Sequence, residues 1–103
     1  MKSIMQKNKE ICFLCQKLHP EIWPGYATEE HHIIFGTANR KQSEKYGLKV
    51  YLCKAHHTES KESPHKNHEI ARLLQRDAQK AFEAAFPDKN FMEIFGRNYK
   101  EDT

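Results

Sequence analysis

Long apolar runs are what this sequence most lacks. None of its segments approaches the roughly 18–20 consecutive apolar residues that a membrane span needs. Its first fifteen residues, MKSIMQKNKEICFLC, hold no apolar stretch of signal-peptide length. The expectation is a soluble, cytoplasmic chain with no membrane partner. Cysteine is scarce too. Cys12, Cys15 and Cys53 make an odd number, which argues against a disulfide framework. Internal repeats and low-complexity tracts are also missing. Charge of one sign does not dominate: 17 Lys+Arg against 14 Asp+Glu gives a formal +3. With a pI near 8.8, this tilts the expected partner towards a polyanion without demanding one.

What is present is a thin core. Of 103 residues, 38% are apolar, and the mean hydropathy is −0.90. That is enough for one small domain over residues 1–103. Domains of this size bury proportionally little surface and often need a metal or disulfides to hold together. With the cysteine count arguing against a disulfide framework, a structural metal is a plausible supplement.

The chain reads as a polar arm or short helix over 1–10, then a CxxC knuckle at 12–15. QKLHPEIWPGYA (16–27) carries two prolines and a glycine and predicts a loop. Trp23 and Tyr26 there are expected to cover the core rather than form a platform. Residues 28–34 fit a short strand. Residues 35–47, FGTANRKQSEKYG, are polar and basic, a loop with at most one helical turn. LKVYL (48–52) alternates, with Leu48, Val50 and Leu52 on one face, and predicts a half-buried strand. Residues 53–59 can open a helix, and Pro64 marks a break. From 68 to 86 apolar residues recur at helical spacing, with Asn67 as N-cap and Pro87 as stop. A short helix over 90–95 follows, terminated by Gly96. The core and knuckles therefore occupy 12–60, and the C-terminal helices 67–96. Arg72, Arg76 and Lys80 share the outer face of the long helix. They read as solvated surface ahead of a phosphate-tracking edge.

The chemistry concentrates in two knuckles and two histidine doublets. Cys12-x2-Cys15 and Cys53-x2-His56 have the spacing of a structural Zn²⁺ site, since zinc takes four sulfur and nitrogen ligands tetrahedrally. Cys53-x3-His57 is sterically open as well. Neighbours on a helix project about 100° apart, so only one of His56 and His57 can complete the site. His31 and His32 lie on a predicted strand, where successive side chains point to opposite faces. They too are expected to have separate tasks, such as a metal ligand and a general base.

TEEHHII followed by LCKAHH, with a knuckle ahead of them, resembles the HNH endonucleases, a ββα-metal, treble-clef-like family. The resemblance covers about residues 12–60. It implies an α+β fold: a small zinc-stabilised ββα-metal motif, here with a C-terminal helical extension. It implies His31 as a catalytic-metal ligand, His32 as general base, and His57 as a second ligand. His56 then joins Cys12, Cys15 and Cys53 on the structural zinc. A helical ligand four positions after His57 would be natural, but position 61 is Lys. His65 is preferred over His68 as the third ligand. The family's middle residue, often Asn, falls at Leu48, and whether Asn39 takes its role stays open.

The function implied is metal-dependent hydrolysis of DNA phosphodiesters. His32 would activate water beside a divalent cation such as Mg²⁺ or Mn²⁺. Arg40, Lys41, Lys45 and Lys49 would be available to the DNA backbone. HHIIFGTANRKQSEKYGLKVYLC and AFEAAFPDKNFMEIFGRNY resemble, more narrowly, phage and prophage recombination-enhancement, RecA-dependent nucleases. That implies a bacterial host cytoplasm and RecA filaments as partners. Two alternatives stand beside it. One is a non-catalytic zinc-binding module for DNA or protein. The other, a small-molecule metallohydrolase, is disfavoured by the basic balance.

Overall fold

The structure is a computed structural model, and it describes residues 2–23, 27–34 and 37–100. Helix α1 (Phe13–Leu18) opens directly at the first knuckle. Its N-cap is Cys12, whose sulfur accepts from the Cys15 amide. The thiol that could bind a metal thus also starts the helix. Strands β1 (Glu29–His32) and β2 (Lys49–Leu52) form a two-stranded antiparallel sheet. Its register sets His31 opposite Val50 and His32 opposite Lys49.

Between the strands lies α2 (Thr37–Tyr46), a ten-residue helix where the sequence suggested a loop. Among its described side chains the buried ones are Ser43 and Tyr46, so no apolar period announces it. Gly47 then turns the chain at φ 72°. Here glycine is required twice over, because a β-carbon would also collide with the Lys2 carbonyl. The expected loose N-terminal arm is tied down at this point. The Ile4 amide donates to the Gly47 carbonyl at 3.0 Å, and the Gln6 side chain accepts from the Tyr51 amide at 2.9 Å.

After β2 comes a π-helical turn, Ala55–Glu59, closed by the Ser60 amide donating to the Ala55 carbonyl at 2.8 Å. Helix α3 (His68–Ala85) matches the apolar stripe. Asn67 caps it, accepting from the Glu69 and Ile70 amides. Helix α4 (Phe91–Phe95) is capped by Asn90 and ends at Gly96, φ 78°. The core joins Leu14, Ile33, Leu48, Val50 and Leu52 to Leu74, Ala78 and Phe82. Phe82 packs edge-on against Tyr46 and Phe91. Buried Gln79 fastens the C-terminal segment, accepting from the Tyr99 amide at 2.7 Å.

Trp23 does not cover this core; it is 78% exposed. Tyr26 lies outside the described residues. No helix among the described residues is long and apolar enough to cross a membrane.

Candidate metal centres

The two doublets separate. Cys12, Cys15, Cys53 and His56 converge into a group able to hold a metal ion. Cys12 and Cys15 come from the start of α1, Cys53 directly follows β2, and His56 lies in the π turn. The Cys15 and Cys53 sulfurs are 3.8 Å apart. His56 Nδ1 stands 3.6, 3.3 and 3.5 Å from the sulfurs of Cys12, Cys15 and Cys53. A tetrahedral zinc shell, built from ordinary Zn–S and Zn–N bonds, requires about 3.8 Å between sulfurs and about 3.5 Å from sulfur to nitrogen. The donor set is therefore compatible with zinc in spacing as well as in kind. Burial pushes the Cys12 thiol up to about 12. A thiolate there needs a compensating positive charge, which a bound metal ion supplies.

His57 faces the other way and joins His31 and His65. The three rings lie 5.4, 5.2 and 5.3 Å apart, centroid to centroid, in the pairs 31–57, 31–65 and 57–65. His31 is only 4% exposed. Burial first, then the neighbouring rings of His65, His57 and His32, lowers its pKa to about 3. A neutral imidazole is the form that ligates metals. His57 Nδ1 is taken by Glu29 Oε1 at 2.9 Å, so Nε2 is the nitrogen left for a ligand.

His65 reaches the cluster through buried Ser63. That hydroxyl donates to the His57 carbonyl at 2.6 Å and accepts from the His65 amide at 3.2 Å. His68 begins α3 and is not part of the group.

His32 occupies the opposite face of β1. Its buried Nε2 stands 3.3 Å from Glu30 Oε1 and 3.7 Å from Glu44 Oε1, without hydrogen-bond geometry to either. An open cleft of about 540 Å³ begins there, lined by Glu30, His32, Arg40, Lys41 and Glu44. Of the four basic residues singled out from sequence, only Arg40 and Lys41 line it. Lys45 lies over the Tyr46 ring at 5.4 Å. Lys49 corrects the sequence expectation. It is buried, with its ammonium 2.8 Å from Glu44 and 3.4 Å from Glu30. Asn39 lies on α2, one residue before Arg40.

No family model, no curated protein and no solved structure matches this chain.

Sequence reasoning missed the carboxylates. Glu29 and Glu30 each sit two positions before a histidine on a strand, so the period of two could have paired them with His31 and His32. Glu44 was hidden with α2. Glu62 and Ser63 lie in the break around Pro64, where no periodicity carries a signal.

Proposed function

We propose that the chain is an HNH-type, metal-dependent DNA endonuclease built on a zinc-stabilised ββα-metal core. The observation that supports this reading is the division of each doublet. His56 turns to the cysteines and His57 to His31 and His65. Across β1, His32 opens on a cleft lined by two cations, Arg40 and Lys41, and two carboxylates, Glu30 and Glu44.

In this reading Cys12, Cys15, Cys53 and His56 hold a structural zinc whose binding energy is part of the folding energy. A divalent ion such as Mg²⁺ or Mn²⁺, held by His31, His57 and His65, would supply charge to offset that developing on the phosphate and the 3′ leaving oxygen. His32 accepts a proton from water, whose oxygen attacks phosphorus as the bond to the 3′ oxygen breaks. Glu30 and Glu44 then stabilise the imidazolium. Arg40 and Lys41 hold the flanking phosphates. A role in phage recombination, with RecA filaments as partners, rests on resemblance alone. Adding RecA filaments to the assay below tests it.

One observation favours a second reading, a zinc-stabilised module that binds DNA or protein without cutting. His32 and the three-histidine cluster lie on opposite faces of β1, so one phosphate must reach round the strand to meet both. Supercoiled plasmid with Mg²⁺ or Mn²⁺ separates the two readings. Wild type should nick it, while His32→Ala and His57→Ala should not, with zinc content unchanged in all three. Binding without nicking by wild type would leave the module, and unimpaired nicking by His32→Ala would remove the general base.

A further inference from the structure

We propose that Glu62 is the positioning residue for His56, fixing which ring nitrogen faces the three cysteine sulfurs, and that His19 braces the same carboxylate. His56 Nδ1 points at the sulfurs, while its Nε2 lies 2.9 Å from Glu62 Oε1. His19 Nε2 stands 2.9 and 3.2 Å from the two oxygens of that carboxylate. An ionised carboxylate can only accept, so each imidazole donates from Nε2. For His56 this leaves Nδ1 as a bare lone pair aimed at the metal position. Outer carboxylates set tautomer and ring angle in this way at metal-binding histidines.

The placement of the two partners makes the arrangement a brace across the site. His19 caps the end of α1, its amide donating to the carbonyl of Cys15 at 3.0 Å. Glu62 is set by the turn after the π helix, where its amide donates to Ser60 Oγ at 3.1 Å. One carboxylate thus links the helix that carries Cys15 to the turn that carries His56. His19, His56 and Glu62 are close enough to hold an ion of their own. They do not need one, because a single oxygen already receives both N–H groups at hydrogen-bond distance.

The assignment depends on metal binding by the four-residue cluster and not on nuclease activity. Its test uses the full chain loaded with zinc and titrated with a competing chelator. Glu62→Ala should raise the zinc dissociation constant about 10- to 100-fold. It should also abolish the slowly exchanging downfield Nε2–H proton of His56 in the NMR spectrum, with helix content unchanged. Glu62→Gln retains an acceptor and should restore that proton, at a shifted position, with a loss of only about three- to tenfold. Wild-type zinc affinity in Glu62→Ala, with the proton retained, would overturn the assignment. Should Glu62→Ala fail to fold, Glu62→Gln decides it. An unmoved proton together with unaltered affinity in that variant would overturn it equally.

Discussion

His57 Nδ1 lies 2.9 Å from Glu29 Oε1, and Glu29 precedes His31 by two positions on the same face of β1. One strand face thus supplies a candidate ligand and the carboxylate that orients another. Removing that carboxylate frees the His57 ring to rotate. Glu29→Ala should weaken Mn²⁺ binding at the histidine cluster by about tenfold or more. Titration calorimetry on zinc-loaded protein reads this directly. Unchanged Mn²⁺ affinity would show that Glu29 does not orient His57.

Acid should destabilise the fold through His31. Burial, more than the neighbouring rings, takes this residue from an ordinary 6.5 to about 3. Below pH 6.5 the unfolded chain gains a proton that the folded chain refuses. Stability is therefore full above that value, declines as the pH falls towards 3, and levels off below it. Between pH 7.5 and 5.5, wild type should lose about 1.4 kcal/mol more than His31→Gln in urea unfolding at fixed zinc. Equal losses in the two proteins would mean that His31 is not held neutral.

Lys49 should behave as a structural cation. Burial opposes its charge, but the Glu44 and Glu30 carboxylates prevail and its pKa is raised. Lys49→Met leaves those two carboxylates facing each other beside His32. Because both are substantially exposed, the cost should be about 1–3 kcal/mol, below that of a fully buried pair. The salt dependence of DNA binding should hardly change. Arg40→Ala or Lys41→Ala should do the reverse, leaving stability alone and lowering the slope of log affinity against log salt by about 0.9 each. Anisotropy titrations at several salt concentrations, beside urea midpoints, check both halves. A stable Lys49→Met with a reduced slope would return Lys49 to the DNA-contacting set.

The legible features were those with local causes. The knuckles, the stripe of α3, its Asn67 cap and the Gly96 stop each follow from a few neighbouring residues. Helix α2 escaped because, among the described side chains of TANRKQSEKY, one serine and one tyrosine are buried, leaving no stripe to detect. The pleat placed Lys49 opposite the apolar face of β2, but only the tertiary structure shows its ammonium covered there, paired with Glu44 of α2 and Glu30 of β1. The split between His56 and His57 was open in the sequence because both spacings from Cys53 are sterically sound. The wide π turn closes one alternative by aiming His56 at the sulfurs. Glu62 and Ser63 had no local signature; their partners are set by how the turn folds back.

The doublets also constrain how such a protein can change. Exchanging the two histidines of a pair alters nothing, because the side chains are identical and only the backbone tells them apart. Their addresses are written in torsion angles. Deleting one residue between Cys53 and His56 would bring the second histidine to the spacing that now serves the cysteines and put Thr58 in the place of His57, so the cluster of His31 and His65 would lose a ligand although both histidines remained in the composition. The clusters are thus sensitive to insertions and deletions as well as to the loss of a ligand, and the stretch from Cys53 to His57 is their shortest ruler.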